Sequence, residues 1–96
     1  MKIVLNKCYG GYSLSKEACN YLGIERNDYN ISYKFSDTKD RTNENLVKCV
    51  EELGAKASGS CAALEVVEIP DNSFYKIEEY DGHETVYYSE SEIKEK

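Results

Sequence analysis

The chain has 96 residues, 41% of them hydrophobic and 31% charged, and a net charge of −6 from 18 acidic and 12 basic side chains. A chain this short buries only about 60–65% of the surface that its unfolded form exposes, so one domain with a modest core is expected over residues 1–88, followed by a charged, frayed tail over 89–96. No apolar run approaches the roughly 20 residues that span a bilayer. The stretch Ile3-Val4-Leu5 after Met1-Lys2 is too short for a secretory signal, which predicts a cytosolic protein without disulfides.

Strand and helix signals alternate along the chain. Lys2 to Asn6 reads as a short strand. Gly10 and Gly11 punctuate the connection that follows, and Ser15 is a good N-cap for a helix over Lys16 to Leu22, with Gly23 as its C-terminal stop. Ile31, Tyr33 and Phe35 alternate with Ser32 and Lys34, the pattern of a half-buried strand. Thr42 or Asn43 caps a second helix over Glu44 to Leu53, whose Leu46, Val47, Val50 and Leu53 form a buried stripe. Leu64 to Ile69 is a strand that Pro70 stops. Tyr75 to Tyr80 and His83 to Tyr88 flank Asp81-Gly82, a strong hairpin signal. The order β-α-β-α-β-β-β predicts an α+β two-layer domain, with one mostly antiparallel sheet and both helices on one face.

Charge and residue usage narrow the function classes. Lys and Arg contacts to phosphate dominate nucleic-acid affinity, so an acidic chain with two arginines, Arg26 and Arg41, is unsuited to coating DNA. Its balance suits a basic protein surface or one local ligand site. The nine tyrosines exceed what so small a core can hide, and part-exposed tyrosines favour interfaces. The four cysteines, Cys8, Cys19, Cys49 and Cys61, lack metal-ligand spacing, so no metal or cofactor is expected.

Three constellations have chemical potential. In Tyr9-Gly10-Gly11-Tyr12-Ser13-Leu14-Ser15, glycines and a helix start offer backbone N–H groups to an anion; a tight connection with purely geometric glycines accounts for the pattern equally. Arg41-Thr42-Asn43 sets a guanidinium beside the second helix start, as an anion seat or as a surface ion pair with Asp37, Asp40 or Glu44. In the hairpin, the turn makes Tyr80 face His83, Glu79 face Glu84, Ile77 face Val86 and Tyr75 face Tyr88. Directly opposed like charges destabilise a sheet. The pair Glu79/Glu84 therefore meets a cation or ligand donors at the core margin, or projects into solvent. His83 is the sole histidine, and no Ser or Cys nucleophile stands in a recognisable context around it.

The segments Asn6-x-Cys8-Tyr9-Gly10-Gly11-Tyr12-x-Leu14-Ser15, Arg41-Thr42-Asn43, Val50-Glu51-Glu52-Leu53-Gly54-x-Lys56-Ala57-x-Gly59, Val66-Val67-Glu68-Ile69-Pro70-Asp71 and Ile77-x-Glu79-Tyr80-Asp81-Gly82-x-Glu84 resemble a family of small phage, prophage and bacterial proteins, largely uncharacterised. The chain has Tyr12 and Ser58 where the family pattern has phenylalanine and asparagine, and it is short before Arg41. The resemblance implies a mobile-element protein acting in the host bacterial cytoplasm, a setting in which small accessory proteins counter immunity. The first expectation is a non-enzymatic sponge for a cyclic nucleotide or ADP-ribose-type signal, working as a homo-oligomer. Tyr9 or Tyr12 would stack on a base, Gly10, Gly11 and the Ser15 helix end would meet phosphate with help from Arg41, and Glu79 and Glu84 would read hydroxyl or amino groups; Ser13, Asn43 and Tyr80 complete the expected ligand-binding set. The alternative is an acidic inhibitor, of the anti-CRISPR kind, that binds a host defence protein; a third is a small hydrolase or lyase using His83.

Overall fold

A computed structural model describes residues 1–24 and 32–89 of the chain. Four strands, β1 (Lys2–Asn6), β2 (Leu64–Glu68), β3 (Phe74–Tyr80) and β4 (His83–Ser89), and two helices, α1 (Lys16–Leu22) and α2 (Glu44–Leu53), make an α+β domain, with 3₁₀ turns at Thr38–Asp40 and Gly54–Ala57. Ser89, which the expected tail included, instead ends β4 opposite Phe74, and residues 90–96 lie outside the described residues.

Local chemistry explains the helix ends. The Ser15 hydroxyl accepts from the Ala18 amide, and Gly23 closes α1 in the left-handed conformation (φ 68°), as the sequence predicts. Asn43 rather than Thr42 caps α2, its side-chain oxygen accepting from the amides of Asn45 and Leu46. These contacts satisfy N–H groups that a helix start leaves without an internal partner.

The expected single sheet is instead two antiparallel pairs, β1–β2 and β3–β4. β1 lies between two apolar layers, and its alternation divides them. Val4, with Leu64 and Val66 of β2, joins Leu14, Ala18, Cys19, Leu46, Cys49 and Val50 under the two helices. Ile3 and Leu5 point the other way and pack with Ile69 against Val67, Tyr75, Ile77 and Val86. The hairpin is thus a separate layer on the face of β1–β2 opposite the helices. It cannot extend that sheet, because its own apolar face is what covers Ile3 and Leu5. Both helices do share one face, as expected.

The strand expected over 31–35 does not form. Ile31 lies outside the described residues, Ser32 makes one isolated bridge to Leu14, Tyr33 is exposed, and Phe35 takes a left-handed φ of 63°. Phe35 still reaches the helical core, half-buried. Alternation in this segment reflects one bridge and one anchoring ring rather than a ladder.

Two close approaches join the layers. A Cβ on Gly82 (φ 95°) would stand 2.3 Å from the Gly11 nitrogen, and one on Gly10 would stand 2.2 Å from the Cys61 carbonyl oxygen. The hairpin tip therefore rests on the Gly10-Gly11 backbone, and that backbone rests on the loop leading into β2. Gly11 needs its glycine for a different reason, a φ of 89° with open space around its Cβ position.

These placements predict an ordering measurable by chemical denaturation. Gly11→Ala should cost about 1–2 kcal/mol from the left-handed conformation alone. Gly10→Ala should cost more, because its obstacle is backbone that has no rotamer to change. Leu5→Ala should cost about 2–5 kcal/mol, as a fully buried leucine at the junction of the two sheets.

Candidate functional site

The centre of the molecule is an ion pair. Arg41, at the end of the Thr38–Asp40 turn, and Glu84, in β4, are 3% and 6% exposed. The Arg41 Nη1 and Nη2 donate to the two carboxylate oxygens of Glu84 at 2.6 and 2.7 Å. Further bonds hold both ions in place. Arg41 Nε donates to the Ser36 carbonyl at 3.0 Å and Nη1 also donates to the Val4 carbonyl at 3.1 Å. The guanidinium carbon lies 4.3 Å from the centroid of the Tyr12 ring, a cation–π contact. Glu84 Oε1 accepts from the Asn6 amide at 2.7 Å.

The same groups finish the open edge of β1. The Val4 amide donates to the Arg41 carbonyl at 2.9 Å, the Val4 carbonyl receives Arg41 Nη1, and the Asn6 amide reaches Glu84. Two side chains and one carbonyl thus replace the neighbouring strand that the single-sheet expectation placed in this domain. A row of unpaired backbone groups on an edge strand is costly when buried.

Asn6 holds the hairpin tip. It is fully buried, its Nδ2 donates to the carbonyls of Cys8 at 2.8 Å and Gly82 at 2.7 Å, and its Oδ1 accepts from the Ala63 amide at 2.8 Å. Lys7 Nζ adds a bond to the Glu84 carbonyl at 3.0 Å. The Tyr12 hydroxyl donates to the Lys34 carbonyl at 2.8 Å, and burial raises its pKa above the ordinary phenol value.

The hairpin register matches the sequence expectation pair for pair, with Glu79 opposite Glu84. The cation that makes this pairing tolerable is Arg41, which pairs with Glu84 rather than with Asp37, Asp40 or Glu44. Glu79 is exposed. Tyr12, Arg41, Glu79 and Glu84 line one cavity of about 330 Å³ with Ser36, Thr38 and Ile77. Tyr9, Gly10 and Gly11 line a second, of about 310 Å³, with Glu79, Asp81 and Gly82. Glu79 belongs to both, so the Tyr-Gly-Gly-Tyr turn, Arg41 and the hairpin tip make one polar groove.

The other named residues lie outside the linings of these two cavities. Ser13 is buried beside Gly59, where an added Cβ would stand 2.3 Å from its hydroxyl, which has no hydrogen-bond partner among the described residues. Ser15 and Asn43 cap the helices, and Ser15 also donates to the Lys56 carbonyl. Tyr80 is exposed, in a third cavity shared with Glu78, Glu79, His83, Thr85 and Tyr87. The His83 ring lies 5.3 Å from that of Tyr9, tilted by 31°. Asn6, Lys7, Ser36, Thr38 and Ile77 were not among the predicted site residues; for Asn6 the available signal is an amide closing an apolar strand.

Among the described residues no cluster of His, Cys, Asp or Glu could hold a metal ion, and no helix is long and apolar enough to cross a membrane. Cys19 and Cys49 are buried and Cys61 is exposed; burial pushes the Cys49 thiol up to about 11. In comparison with known proteins, no family model, curated protein or solved structure matches this chain.

Breaking the pair from one side leaves an uncompensated buried ion. Glu84→Gln should therefore cost about 3–5 kcal/mol. Arg41→Met/Glu84→Gln should cost less than the two single changes added together, the difference reporting their coupling in denaturant titrations.

Proposed function

We propose that this chain is a non-catalytic binding protein that docks on a basic protein surface through its β3–β4 hairpin. The observation that carries this reading is the disposition of charge and aromatic surface. The guanidinium offered by the sequence as a phosphate seat is buried and neutralised by Glu84, while acid and tyrosine are left outside. Tyr80 is 78% exposed, and Tyr9, Phe74, Tyr87 and Tyr88 are exposed as well. Phe74, Tyr80 and Tyr87 share the hairpin face turned away from β1 with Lys76, whose ammonium pairs with Glu78, while Glu79 on the other face and Asp81 in the turn are exposed. Exposed aromatics set among carboxylates favour arginine- and lysine-bearing surfaces, by ring-to-cation contact and charge-assisted hydrogen bonds.

The groove has the wrong sign for phosphate. Glu79, Glu84 and Asp81 outnumber Arg41, and the Ser15 hydroxyl is engaged in its own helix. This weighs against a nucleotide sponge and for the acidic-inhibitor reading. The sequence resemblance to phage and prophage proteins supports a host defence protein as the partner.

Calorimetry with a polybasic peptide and, separately, with cyclic nucleotides and ADP-ribose tests this proposal. Peptide binding should weaken with added salt, and a Tyr80→Ala/Tyr87→Ala variant should lose about tenfold or more in affinity, as for aromatic anchors at interfaces. The net charge is unchanged in that variant, so non-specific attraction would leave affinity where it was. Stoichiometric micromolar binding of a nucleotide would contradict the proposal.

A further inference from the structure

We infer that the groove at Glu79 is a seat for one arginine side chain of the partner, an inference that rests on the protein-binding reading above. A charge count carries it. Glu79 and Glu84 stand directly opposite each other in the hairpin, a spacing of about 4.5–5.5 Å between Cβ atoms. Arg41 compensates one of them and has donated to both Glu84 oxygens. Among the described residues, no ion pair or hydrogen bond engages the Glu79 carboxylate. The groove therefore carries one uncompensated negative charge, open to solvent at Glu79.

Shape and chemistry select the cation. Ile77 gives the 330 Å³ cavity an aliphatic wall, and Thr38 also lines it. On the other side of Glu79, the adjoining cavity is lined by Asp81 and Tyr9, both exposed, the Tyr9 ring lying beside that of His83. A flat ion with five donors and a long apolar stem satisfies these walls together. Guanidinium does so by pairing with Glu79 along one edge and stacking on a tyrosine, whereas ammonium is a compact point charge with three donors. The molecule already holds one arginine in this way, Arg41 between Glu84 and Tyr12.

The test uses the full chain, isotope-labelled, titrated in NMR with three capped peptides, Gly-Gly-X-Gly-Gly, in which X is arginine, lysine or citrulline. The arginine peptide should shift the amides of Ile77, Glu79 and Gly11 and bind about tenfold tighter than the citrulline peptide, with lysine between them. Glu79→Gln should erase that preference. Glu17→Gln, at an exposed acid of α1, should keep it, and well-dispersed spectra show that each variant is folded. Equal binding of all three peptides, or an arginine preference that survives Glu79→Gln, overturns the seat. If the seat fails in this way while the polybasic peptide still binds through Tyr80 and Tyr87, the broader reading stands; if no basic peptide binds, both fall.

Discussion

The buried pair of Arg41 and Glu84 is the constraint on which the remaining architecture depends. Taking two ions out of water costs several kcal/mol each, and their attraction repays this only when the leftover donors and acceptors are also met. Here the backbone of β1 and the Ser36 carbonyl provide the partners. Val4 and Asn6 need partners on an open strand edge, and the pair supplies them. The ion pair therefore terminates a two-stranded sheet, anchors the hairpin across it, and gives Tyr12 a cation to cover. Those roles share the same few atoms, so none can be altered alone.

Glycines make this arrangement possible at short range. Gly82 and Gly10 remove side chains where three backbone segments meet, and Asn6 then bonds across that junction to the carbonyls of Cys8 and Gly82. The hairpin tip is held by backbone contact and one buried amide, and the hairpin middle by apolar packing on Ile3 and Leu5. With its inner face so occupied, the hairpin turns Phe74, Tyr80 and Tyr87 outward. Among the described tyrosines, Tyr12 and Tyr75 are structural rings, and the surface rings include Tyr9 and Tyr80.

Features set by neighbours in sequence were legible beforehand. The Ser15 cap, a cap at Thr42 or Asn43, the Gly23 stop and the hairpin register follow from a few adjacent residues, and the opposed Glu79 and Glu84 called for a cation or ligand donors unless both projected into solvent. Its identity was not legible, because Arg41 is distant in sequence and has nearer acids at Asp37, Asp40 and Glu44. The sheet division was hidden for a similar reason. Alternation in β3 and β4 shows that one face is buried but not whether it lies beside β1 or on top of it. Phe35 misled by fitting a strand period while its backbone adopts a left-handed turn. Tyr12, Arg41, Glu79 and Glu84 do converge, yet what assembles them is the internal ion pair, which spacing along the chain cannot express.

Amide hydrogen exchange at Asn6 under native conditions tests this account most directly, because that N–H has the Glu84 carboxylate as its acceptor. If the ion pair completes the β1 edge, Asn6 exchanges only through global unfolding, with the same free energy as the core amides of β1. Exchange at Asn6 through a local opening of much lower free energy, with its β1 neighbours still protected, would contradict it.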